Sequence, residues 1–106
     1  MGKKSHVATY SVLLEYLQHN GVDLSAAGTN DRGLSLHHAL EFIDLLAANC
    51  VRPLGFEPWR RTDNAYNIHS AGVWDLEEVG PEWIDEAKRY LLVLDLKPLD
   101  VIAVQF

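Results

Sequence analysis

His37, His38 and Glu41 are the nearest approach in this chain to a metal-ligand set. On a helix, His37 and Glu41 share a face one turn apart, while His38 is turned away by about 100°. Two histidines that chelate from one helix stand three or four residues apart, as in HExxH. Adjacent histidines diverge, so the spacing predicts one solvated histidine, one partly packed histidine and no metal site. Cys50 with a nearby histidine would suit nucleophile–base chemistry. It falls in register with the apolar residues Ile43, Leu46 and Ala47, at a helix C-terminus where the dipole opposes the thiolate a nucleophile needs. A buried, inert thiol is expected. Ser25, Ser35 and Ser70 lie in no GxSxG context, and the chain holds no GxxxxGK loop, no GxGxxG and no acidic calcium loop. No catalytic residue, metal or cofactor is therefore expected; a small enzyme using His37, His38 or His69 is the enzymatic alternative.

The strongest charge feature is residues 75–86, DLEEVGPEWIDE, where Asp75, Glu77, Glu78, Glu82, Asp85 and Glu86 are interrupted by no base. Such a run is a solvated helix start, its acids complementing the helix dipole, or an acidic docking surface for a basic partner. Trp74 and Trp83 are embedded in or beside it, and interfaces favour aromatic anchors. Trp59 beside Arg60 and Arg61 would suit phosphate binding or base stacking. In a net-acidic chain the two arginines are expected instead to pair with the acidic stretch or to line the solvent face of a hairpin. The expected partner-binding set is Asp75, Glu77, Glu78, Glu82, Asp85, Glu86, Trp59 and Trp74.

These residues need elements to position them. Val7, Tyr10, Leu14 and Leu17, widened by Leu13, predict a helix over 6–19, with Ser5 as its cap and Asn20-Gly21 as its stop. Residues 22–34 read as a loop. Ser35 caps a second helix over about 36–50, ended by Pro53; Leu36, Leu40, Ile43, Leu46 and Ala47, extended by Phe42 and Leu45, face inward, and His37, Glu41, Asp44 and Ala48 outward. Residues 54–61 alternate like a strand, but Pro58 cannot donate to a ladder, so an edge or broken strand is expected. Thr62-Asp63-Asn64 turns it back through Ala65–His69 as a hairpin. Val73–Leu76 reads as a third short strand. Gly80-Pro81 opens a third helix with the stripe Trp83, Ala87, Tyr90, Leu91 and Leu94. Ile102, Val104 and Phe106 mark a final strand, whose edge would be open to homodimer pairing. The expected fold class is α+β: three helices on a small, mainly antiparallel sheet, in the order ααβββαβ.

Length and composition set the frame. The 106 residues make one domain, 1–106, long enough for a core without staples. One cysteine excludes an internal disulfide framework and points to a reducing, cytoplasmic setting. Nine basic against fifteen acidic residues, net −6, argue against direct nucleic-acid or anionic-membrane binding. Glu15, Gln18 and His19 interrupt the apolar run that a signal peptide would need, and Met1-Gly2 matches a myristoylation start only loosely. No stretch reaches the roughly 20 apolar residues that span a bilayer.

The segment PLGFEPWRR, a short turn, YNIHSAGVWDLEE and a helix beginning PEWIDEAKRY together resemble the immunity proteins of bacterial polymorphic and contact-dependent toxin systems, over residues 50–95. The resemblance implies a non-enzymatic protein that binds a cognate toxin domain and blocks it; it assigns no residue roles. An acidic surface suits a toxin with a basic cleft. The expected function is thus toxin neutralisation by tight protein–protein binding through an acidic and aromatic surface, as monomer or homodimer. A phage-type anti-defence or nucleic-acid-mimic inhibitor is the alternative.

Overall fold

The computed structural model describes residues 2–70, 72–75, 80 and 82–106. It is an α+β fold with three α-helices and a six-stranded antiparallel sheet. Helix α1 runs Gly2–Asn20, α2 Leu36–Ala48 and α3 Trp83–Val93; the strands are β1 Val22–Asp23, β2 Arg32–Leu34, β3 Gly55–Thr62, β4 Ala65–Ile68, β5 Trp74–Asp75 and β6 Val101–Gln105. The sheet order is β1-β2-β6-β3-β4, with β5 on β3. Class and helix number are as expected; the order differs because the 22–34 loop holds two short strands and a 3₁₀ turn, Ser25–Ala27. Strands of two and three residues carry too little alternation to read. Gly33 marks the place, since a Cβ there would lie 2.3 Å from Val101 Cγ2, so β2 reaches its position only with glycine.

The final strand is not an edge. It lies between β2 and β3, which removes the free edge that homodimer pairing would use. Four of its five residues are buried, so Val101-Ile102-Ala103-Val104 is apolar on both faces, as a strand covered on both sides must be. Nor is β3 an edge. It pairs with β6 on one side and with β4 and β5 on the other, and Pro58 stands opposite Ile102. Pro58 is tolerated because of where its missing N–H would point. The Pro58 carbonyl accepts the His69 amide at 3.0 Å, and a strand residue's N and O point the same way. The absent donor therefore faces the gap just past the end of β4 at Ile68.

Both sheet faces are covered. On one, the helices enclose Leu13, Leu34, Phe42, Ile43, Leu46, Phe56, Leu91, Ile102 and Val104. On the other, Leu24, Trp59, Val101 and Ala103 form a smaller cluster, with Ala27 from the 3₁₀ turn and Tyr66 from β4 packed on it. Helix α1 begins ahead of its expected start and takes in Ser5; among its described side chains Leu13 is the buried one, and Tyr10 and Leu14 are exposed, while the Val7 side chain lies outside the description. The face shifts because α1 leans on α2 and β2 through Leu13, Tyr16 and Leu17. Gly21 is not left-handed; it is required because a Cβ would lie 2.7 Å from the Leu17 carbonyl.

Helix α2 is capped as expected, with Ser35 Oγ accepting from the His38 amide. Its far end departs from expectation. The Val51 amide returns to the Leu46 carbonyl and the Cys50 amide to that of Ala47, while Cys50 takes φ 57°. That is a Schellman close with cysteine where glycine usually stands. The left-handed turn swings Cys50 off the apolar stripe, so its thiol is exposed rather than buried.

Candidate functional site

The acidic stretch is divided by the fold. Glu77 and Glu78 lie outside the described residues, as do Pro81 and the side chain of Asp75. Asp75 belongs to β5, held to Gly55 of β3. Glu82 and Asp85 are exposed at the head of α3, and Glu86 bonds Arg89 one turn on at 3.2 Å. Asp85 and Glu86 sit in the first turn of α3, where carboxylates favour the amide end of the dipole. Glu82 occupies the cap position without a side-chain bond to the helix.

The tryptophans do not form an open face with these acids. Trp59 is 6% exposed in the small cluster, with its Nε1–H on Glu57 at 3.2 Å. It faces the sheet side that the 22–34 segment covers, which the loop reading of that segment concealed. Trp59 is therefore a core residue, with little surface left to offer a partner. Trp74 is partly buried, its ring stacked on Tyr90 at 4.6 Å and on Phe56 at 5.7 Å. Its ring faces are engaged in holding β5 to α3 and β3. Trp83 packs at the rim of the main core.

The arginines find partners away from the acidic stretch. Arg60 binds Asp100 through Nε and Nη2, each at 3.1 Å, and donates to the Asp95 carbonyl. Asp100 also accepts the amides of Arg61 and Lys97 at 3.1 and 2.9 Å. Burial alone would raise the Asp100 carboxyl, but the two amides and the Arg60 guanidinium outweigh it and hold it below the usual carboxylate range. Buried His69 places Nε2 2.9 Å from the Asp95 carbonyl. This hub ties β3, the end of β4 and the 95–100 turn together. Sequence reading missed it because its members lie up to 40 positions apart; an aspartate just before a fully apolar strand was the available signal. Arg61 lies over the Tyr66 ring at 4.8 Å.

The two histidines of α2 lie closer to a common point than their adjacent spacing suggests. Each of His37, His38 and Glu41 places one donor atom within 4.8 Å of the others. Glu41 stands four positions beyond His37 and three beyond His38, so it projects between the two diverging rings. Tyr16 donates to Glu41 Oε1 at 2.8 Å and to the His38 carbonyl at 3.1 Å. Burial first, then the Glu41 contact, pushes the Tyr16 phenol well above its ordinary range.

Among the described residues, no helix is long and apolar enough to cross a membrane. No family model, no curated protein and no solved structure matches the chain.

Proposed function

We propose that the chain is a non-enzymatic binding protein that neutralises a bacterial toxin domain in the cytoplasm, using the acidic surface at the head of α3. One observation supports this reading above the others. Glu82 and Asp85 stand exposed in a segment without bases, while Arg60 and Lys88 are held by Asp100 and Asp44. The local negative potential is thus left facing solvent in a chain of net charge −6, which suits a basic cleft and accelerates encounter. With Trp59 in the core, the surface is acidic rather than acidic and aromatic.

The test is to co-express the chain with candidate toxin domains, isolate any that bind, and measure association kinetics at two salt concentrations; failure of every candidate to bind would overturn the reading. Association is expected to slow markedly as salt rises, since screening acts over about 8 Å at physiological ionic strength. Reversing Glu77, Glu78 and Asp85 to lysine is expected to lower the association rate at least tenfold and to flatten the salt slope, with folding nearly intact because exposed charges add little stability. Unchanged rate and slope in the triple variant would remove residues 75–86 from the binding face.

A further inference from the structure

We propose that His37, His38 and Glu41 form a surface site on the first turns of α2 for a late first-row divalent cation of the zinc, nickel or copper class. Two imidazoles and one carboxylate are the donors such ions prefer, and hard cations prefer all-oxygen sets. The three donor atoms already lie within 4.8 Å of one another. Ligands about 2.1 Å from a tetrahedral ion stand roughly 3.4 Å apart, so a modest rotation closes the set. The His37 side chain, 78% exposed, has room to make that rotation toward a Glu41 carboxylate that Tyr16 holds in place. Their present contact, Nε2 to Oε2 at 3.6 Å, is the one the ion would replace.

The surroundings orient the ligands as a metal site requires. His38 Nδ1 lies 3.0 Å from Ser35 Oγ; with Nδ1–H donated there, the lone pair sits on Nε2, ready for an ion. Tyr16 reaches across from α1 to hold one oxygen of Glu41 at 2.8 Å, leaving the other for coordination. The Glu41 charge also offsets the positive end of α2, which would otherwise repel a cation. With three protein donors, the remaining coordination position is open to water or to a group from a partner. The proposal does not depend on the acidic stretch of α3.

Isothermal titration of the untagged chain with Zn²⁺ and Ni²⁺, with Mg²⁺ as control, tests it. One transition-metal ion per chain is expected, with no heat from Mg²⁺. His37→Ala and Glu41→Gln, both solvent-facing changes, are each expected to weaken binding at least tenfold. Tyr16→Phe keeps every ligand but frees Glu41, and about a tenfold loss is expected there as well. His19→Ala alters the other exposed histidine–glutamate pair, His19 with Glu15 at 3.8 Å, and is expected to leave affinity unchanged. Ni²⁺ is expected to broaden the His37 and His38 ring resonances first. Absence of saturable binding, binding that survives His37→Ala or Glu41→Gln, or binding lost with His19→Ala would overturn the proposal.

Discussion

Asp100 and Tyr90 are the two residues whose environments most directly translate into stability. Asp100 is 3% exposed yet carries four close contacts from Arg60, Arg61 and Lys97. Its folded pKa is depressed, so its contribution is complete above the unfolded carboxylate value of about 3.9 and is lost as pH falls through the folded value. Asp100→Asn is expected to cost about 2–3 kcal/mol at neutral pH, as charge-assisted bonds become neutral ones. Chemical denaturation from pH 7 down to pH 2 should show the gap between variant and parent narrowing below about pH 4. A gap that stays constant to pH 2 would mean that the Asp100 carboxyl titrates alike in the folded and unfolded chain, so that its contacts do not favour the ionised form. Tyr90 is the opposite case. Its ring stacks on Trp74 and Phe56, but its hydroxyl is buried without a hydrogen-bond partner among the described residues, and burial pushes the phenol up. Tyr90→Phe keeps the stack and removes the unmet donor, so it is expected to raise stability by about 1 kcal/mol in urea denaturation. A loss instead would show that the hydroxyl has a partner.

Element by element, legibility followed the strength of the local signal. Helix α2 was readable from its Ser35 cap to its inward stripe because a helical period repeats over thirteen residues. The β3–β4 hairpin was readable from its alternation and its turn residues; Thr62 faces Ala65, and Asp63 takes φ 51°. Strands β1 and β2 were not, and their absence from the reading misplaced Trp59, because Leu24 and Ala27 cover the face on which that ring lies. The end of α2 also escaped the helical period, since one left-handed residue breaks register. That residue offers a direct test. Cys50→Gly is expected to stabilise the fold by about 0.5–1 kcal/mol, glycine entering the left-handed region without a Cβ penalty. Cys50 itself should label quickly with a thiol reagent in the native state, given its exposure. Slow labelling, or a destabilised glycine variant, would place the thiol back in the core.

For the whole molecule, class and helix placement were legible, whereas strand order was not. Order is a matter of long-range pairing: β6 meets β2 some 70 positions earlier, at Gly33↔Ala103, and no window of sequence contains both. The candidate site was legible only as charge, because which acids face solvent depends on where α3 docks. Removing residues 101–106 is expected to abolish the cooperative thermal transition seen by circular dichroism, not merely to lower it, because within the sheet β1–β2 and β3–β4–β5 are hydrogen-bonded to one another only through β6 among the described residues. A truncated chain that still melted sharply would show that the two parts fold independently. The same arrangement has a consequence for biosynthesis. Translation proceeds at about 5–20 residues per second, and until Val101–Gln105 has left the ribosome the half-sheets share no strand. The nascent chain therefore waits with the edges of β2 and β3 that face β6 unpaired. The central pairing of the sheet forms only once Val101–Gln105 is available, and in the interval a holding chaperone would shield the two open edges.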